Sequence, residues 1–245
     1  MSRFIDRLLI ISGIIGPSSF FLGIIIIPMF LPGYNHQANY ISELAAVDSP
    51  VALIASILIF FLMGMGMALY GIGLFRLIGV DWSGQIAGIL LFSGGILFML
   101  IAFFQCDAGC HNYSQTGYLH EFFSNSSLYI GGSSLLFLTI HSIRNITFPR
   151  YWSLITLGVL MNTIFFTAYY LYIETPGMGG MYQRLTIIPP FLYLMLNALY
   201  LYKKIIINRS LSPTHTKRSS YLLSISVSLL VIIPLLALTA KQAMH

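Results

Sequence analysis

The chain has 245 residues, of which 57% are hydrophobic and only 8% charged, with a formal net charge of +5. A soluble domain carries about 25% charged residues, so this composition excludes a soluble globular domain. The basic residues sit at the edges of apolar runs rather than in one patch, which excludes nucleic-acid binding as the meaning of the positive balance.

The apolar runs are about 20 residues long, enough to cross a hydrocarbon layer of roughly 30 Å, and backbone groups in that layer are satisfied only within a helix or a closed barrel. No alternating barrel pattern is present. The expected fold is therefore all-α: a polytopic transmembrane bundle forming a single integral membrane domain over residues 1–245. Seven spans are predicted, at residues 8–30, 51–77, 84–104, 119–140, 152–172, 185–202 and 219–239.

The first span is too long for a signal-peptide core and lacks an A-x-A cleavage site, so it is expected to stay as an anchor. It leads into the loop PGYNHQANYISELAAVDSP, which carries His36, Tyr40, Ser42, Glu43 and Asp48. Glycines punctuate the first three spans, among them the GxxxG pair Gly84 and Gly88, and predict close helix packing within one bundle.

The third span ends in the polar island QCDAGCHNYSQTGYLHE, residues 105–121, which holds both cysteines of the chain. A disulfide between Cys106 and Cys110 is the favoured reading of the pair. A metal site with His111 and free thiols are the alternatives, and C-x-x-x-C is not a usual zinc spacing.

In the fourth span His120, Ser124, Ser127, Gly131 and Ser134 share one helical face of small or polar residues. Such a face points into the bundle, either as packing glue or as the wall of a pocket with His120 at its rim. Asn162 in the fifth span and Asn197 in the sixth are expected to form interhelical hydrogen bonds, and His141 is read as an interfacial residue.

The loop ETPGMGGMYQR supplies Glu174, Gln183 and Arg184, and Pro189 and Pro190 follow one turn into the sixth span. Proline frees carbonyls and bends a helix there, and irregular backbone at membrane depth is tolerated only against protein or a cavity. The sixth span is thus expected to border a cavity. The seventh, after the longest basic loop, carries few polar groups beyond serines.

Lysine and arginine fall ten on one side (Arg3, Arg7, Arg76, Arg144, Arg150, Lys203, Lys204, Arg209, Lys217, Arg218) and two on the other (Arg184, Lys241). This bias predicts a cytoplasmic N-terminus and, with seven spans, an external C-terminus. The loops bearing Glu43, Asp107 and His120, and Arg184, then lie together at the outer face. A histidine with two carboxylates suits general acid–base chemistry or a divalent metal held by Asp107, His120 and Glu43. Ser42, Ser124, Gln183 and Arg184 are candidate binding residues, with Arg184 either pairing an acid or holding an anionic head group.

The segment YISELAAVDSP (residues 40–50), followed by CDAGC (residues 106–110) and a histidine opening the next span, resembles the prokaryotic membrane-protein family catalogued as domain of unknown function 998. The likeness covers roughly residues 8–202. It implies a six-span bundle, to which the seventh span would be an addition, in a bacterial or archaeal cytoplasmic membrane, and it implies no activity. Three functions are carried forward. One is a membrane-embedded hydrolase or transferase acting on lipid or envelope precursors through Glu43, Asp107 and His120. The second is a non-catalytic module that binds or transports a lipid or small solute. The third is a structural membrane protein.

Overall fold

In the computed structural model, residues 2–77, 81–144, 148–172, 176–207 and 218–242 are described. Glu174, Arg209 and Lys217 lie outside them. The long helices are α1 (Ser2–Ile26), α2 (Ala52–Leu77), α3 (Trp82–Leu100), α4 (Gln115–Arg144), α5 (Arg150–Tyr172), α6 (Gly179–Ile207) and α7 (Arg218–Gln242). No strand occurs among the described residues.

The helices alternate in direction, which separates two ends of the bundle. One holds Cys106 and the loops before α2, α4 and α6 and is called the cysteine end. The other holds Arg76, Asp81 and His141 and is called the basic end.

Five segments are long and apolar enough to cross a membrane: Phe4–Phe30, Ala52–Leu77, Trp82–Phe103, Arg150–Tyr169 and Gly179–Lys204. The predicted fourth and seventh spans are not among them. In α7 only a shorter apolar stretch, Ser224–Thr239, qualifies. In α4 the run Ser124, Asn125, Ser126 and Ser127, with Ser133 and Ser134 further on, lowers the hydropathy. The packing explains how such a helix is accommodated: α3, α5 and α7 all lie against α4, so most of its surface faces protein rather than lipid.

Helices α1 to α6 form a closed ring. Each packs on the next, and α6 returns to α1, while α7 lies outside the ring against α3 and α4. The glycines explain the tightest contacts. On α2, Gly64 and Gly71 face Gly95 and Gly88 of α3, and a Cβ at Gly64 would come within 2.4 Å of the Met99 backbone nitrogen. The spacing in use is thus seven residues on each helix rather than the four of Gly84 and Gly88. Gly16 meets Gly66 in the same way between α1 and α2.

Buried polar pairs stitch the ring where no hydrophobic force distinguishes helix from lipid. The Tyr70 hydroxyl donates to Asn197 Oδ1 at 2.6 Å, and Asn162 Nδ2 donates to the Leu185 carbonyl at 2.9 Å. Both asparagines therefore have the interhelical partners expected of them. The serines of α7 serve the same end: Ser224 Oγ donates to Gln85 Oε1 at 2.7 Å, and Thr239 meets Ser126 at 2.7 Å.

His141 corrects an expectation. It is 2% exposed rather than interfacial, with Nδ1 2.6 Å from Asp81 Oδ2, because the N-terminus of α3 packs against the last turn of α4.

Candidate functional site: a cavity inside the helix ring

At the cysteine end the three loops interlock into a cap. Val47 N–H donates to the Cys106 carbonyl at 3.0 Å, joining the first loop to the second. Gly180 and Met181 donate to the Ala38 and Gln37 carbonyls at 3.2 and 2.9 Å, joining the first loop to the start of α6.

Arg184 is the main clamp. Its Nη1 donates to the carbonyls of His36 (2.7 Å), Asn39 (2.9 Å) and Gly180 (2.8 Å), and its Nη2 to the Tyr34 hydroxyl (2.6 Å). The guanidinium also lies over the Tyr34 ring. Burial holds the Tyr34 phenol above its ordinary pKa despite the neighbouring guanidinium, so it stays neutral and donates a hydrogen bond to the Tyr40 carbonyl at 2.9 Å. The expected pairing of Arg184 with an acid is not what the structure uses. Carbonyl oxygens take its donors instead.

The three candidate catalytic residues hold loops. Glu43 accepts from the Tyr40 N–H and from Asn39 Nδ2, both at 2.7 Å, and so caps the short helix Ile41–Ala45. Asp107 accepts from the Tyr113 N–H (2.7 Å), the Ser114 N–H (2.8 Å) and the Ser114 hydroxyl (2.7 Å). The hydrogen bonds from Ser114, and then Tyr113, keep its carboxyl below the ordinary carboxylate pKa. Cys106 and Cys110 form a disulfide beside it, with Cα atoms 4.9 Å apart.

His120 donates from Nδ1 to the Phe104 carbonyl at 2.7 Å and stands edge-on to Phe60. Among the described residues no three His, Cys, Asp or Glu side chains approach closely enough to hold a metal. The cage suggested for Glu43, Asp107 and His120 does not form, because each is turned to a different backbone segment.

Beneath the cap lies a narrow cavity, in which the centres of water-sized spheres have about 90 Å³ of room. All six ring helices contribute to it. From α4 come Ser124, Asn125, Ser127, Leu128, Gly131 and Ser134; from α6, Gln183, Thr186, Ile187, Pro190, Phe191 and Leu194. The small-residue face predicted for α4 is thus one wall, without His120. Three of the four candidate binding residues, Ser42, Ser124 and Gln183, line this one space, whereas Arg184 does not.

Polarity divides the cavity lengthwise. Toward the cysteine end the Ile41 N–H donates to Gln183 Oε1 at 2.6 Å, which fixes the amide so that its NH₂ is left as a donor. Ser42 and Ser124 add hydroxyls there. Further in, Ser127 and Ser134 bond back to the Ser124 and Gly131 carbonyls of their own helix and act only as small wall residues.

The inner part is aromatic and aliphatic. Phe20 meets Phe191 at 4.9 Å between ring centres, Phe191 meets Phe98 at 5.4 Å, and Phe98 meets Phe60 at 5.6 Å. Phe60 reaches the wall from a π-helical stretch, Ser56–Phe61, inside α2. Such stretches re-aim side chains and recur at functional sites. From Ser124 to Leu135, or Gln183 to Leu194, is eleven residues, so the cavity runs about 16 Å along the bundle.

Sequence reasoning did not select the phenylalanines. The signal lies in the register of α6: residues 183, 186, 187, 190, 191 and 194 repeat at helical spacing, and Gln183 already marked that face.

No curated protein and no solved structure matches this chain. A family model does, over residues 14–200, described as protein of unknown function (DUF998). The matched stretch begins inside α1 and ends inside α6, so it carries the ring and the cavity and leaves α7 outside. On that match, the chain belongs to the DUF998 family of proteins of unknown function.

Proposed function

We propose that this protein is a non-catalytic membrane module that takes an amphiphile out of the bilayer and holds it inside the ring of α1 to α6. The observation carrying this reading is the cavity itself: polar at one end, apolar beyond it, and about as deep as half of a hydrocarbon layer of roughly 30 Å. A ligand with one polar head and hydrocarbon chains fits that division. The enzyme reading has less support, since Glu43, Asp107 and His120 do not line the cavity and each is engaged in holding a loop.

Access is proposed from the side, between α4 and α5. The cap covers the cysteine end, and Ile41 and Ser42 of the cap are buried. Helix α5 is the least embedded of the five long apolar segments: 17% of its apolar stretch is buried, against 44% or more in the others. Among its described residues, Thr163 alone lines the cavity.

The seven-span topology is proposed with the cysteine end outside the cell, in the cytoplasmic membrane of a bacterium or archaeon. The ten-to-two distribution of basic residues supports this sidedness.

Purification of the full chain from membranes, followed by solvent extraction and mass spectrometry, tests the binding reading. Wild type is expected to retain a stoichiometric amphiphile that is lost in Gly132→Phe and Ser124→Phe, both folded and both filling the cavity. Equal retention in all three would sink it. Sidedness is tested by an impermeant thiol reagent applied to intact cells after reduction: reaction only in broken cells would invert the topology.

A further inference from the structure

We infer that the amphiphile carries an uncharged head bearing a free hydroxyl, that is, a neutral lipid of the diacylglycerol or long-chain alcohol type rather than a phosphorylated one. This rests on the reading that the cavity holds an amphiphile.

The chemistry of the head-binding end leads there. Its polar groups are the Gln183 NH₂, the Ser42 and Ser124 hydroxyls and the Asn125 amide. All are neutral, and together they offer both donors and acceptors. Pro190 adds an acceptor on the same wall, because it has no N–H for the Thr186 carbonyl four residues back. A hydroxyl, which donates once and accepts twice, is matched by such a set.

A phosphate is not matched. Among the described residues no Lys, Arg or His lines the cavity. The nearest cation in sequence, Arg184, spends Nη1 and Nη2 on three cap carbonyls and the Tyr34 hydroxyl.

A neighbouring carboxylate works against an anion. Glu121, one turn before Asn125 on α4, accepts from Asn125 Nδ2 at 3.4 Å and from Asn112 Nδ2. An anionic head beside Asn125 would therefore meet a like charge, which repels it.

The experiment uses the purified full chain in nanodiscs and measures displacement of a fluorescent diacylglycerol by three competitors with identical acyl chains. These are diacylglycerol, phosphatidic acid, and the analogue with a primary amine in place of the hydroxyl. Diacylglycerol is expected to compete at least about tenfold better than phosphatidic acid, and Glu121→Gln to narrow that ratio. Phosphatidic acid competing equally or better, or the amine competing best, overturns the neutral-head inference while leaving the cavity reading in place. Fluorescent lipid that stays bound equally to Gly132→Phe and Ser124→Phe overturns the cavity reading itself.

Discussion

The Asn162 side chain donates its hydrogen bond to the carbonyl of Leu185, four residues before Pro189. In an unbroken helix that carbonyl would accept from the N–H at position 189, which proline lacks. Helix α5 thus supplies the donor that α6 cannot. The cost of a proline at membrane depth is offset by a neighbour, and α6 is tied to α5 beside the cavity.

A double-mutant cycle follows from that relationship. Asn162→Leu should destabilise the detergent-solubilised protein by about 1 kcal/mol, within the range of interhelical hydrogen bonds in membranes. In a Pro189→Ala background the carbonyl regains its own helical donor, so Asn162→Leu should cost markedly less there. Additive effects in thermal or denaturant unfolding would show that Asn162 and Pro189 are not coupled.

Arg184 leads to a second prediction. Four oxygen acceptors surround its guanidinium in the geometry of a planar fork. A lysine keeps the charge but cannot span them. Arg184→Lys and Arg184→Ala should therefore be similarly damaging, lowering stability by about 2 kcal/mol or more and exposing the cap, residues 34–50, to limited proteolysis. If the lysine variant matched wild type in both assays, charge rather than shape would be what matters at this position.

Much of this was legible in the sequence, and the limits have physical causes. Apolar runs revealed helices because hydrocarbon leaves backbone groups no other solution, and the serine face of α4 pointed into the bundle, as packing surface or pocket wall, because such a face cannot meet lipid. Ser42, Ser124 and Gln183, candidate binding residues from the sequence, line the same cavity as that face, and Arg184 does not. Glu43, Asp107 and His120 were expected to cluster because topology puts them at one end of the bundle. Proximity of helix ends does not set side-chain direction, however, and each found a backbone partner closer than the others. The pairing of His141 with Asp81 was not legible, since sixty residues separate them and the packing of α3 on α4 brings them to 2.6 Å.

That pair sets the response of the basic end to acid. Burial raises the Asp81 pKa, but hydrogen bonds from His141 and Ser83 outweigh it and leave the carboxyl below its ordinary value. A group depressed in this way contributes stability that is present above the unfolded-state value of about 3.9 and lost as pH falls through the folded value. Wild-type protein should therefore lose thermal stability on acidification from about pH 5 to about pH 3, and Asp81→Asn should be less stable at neutral pH with a flatter acid limb. Parallel pH profiles for the two proteins would show that Asp81 makes no such contribution.

The proposed side access gives the last prediction. Gly132 of α4 and Thr163 of α5 both line the cavity, and a Cβ at Gly132 would stand 3.9 Å from Thr163 Cγ2. Thr163 Cγ2 is one bond beyond its own Cβ, so cysteines at the two positions are close neighbours whose disulfide an oxidant can test. Oxidised Gly132→Cys/Thr163→Cys protein would hold α5 against α4 without filling the space between them. If the ligand passes between these helices, exchange of a fluorescent lipid should slow by about tenfold or more on oxidation, the effect of a barrier raised by about 1.4 kcal/mol. Neither single-cysteine variant should respond. Because α5 is the least buried of the long apolar segments, locking it should leave the equilibrium amount of bound lipid unchanged and alter only the rate. Unaltered exchange in the cross-linked protein would move the route to the capped cysteine end, where the interaction to break would be the Arg184 clamp.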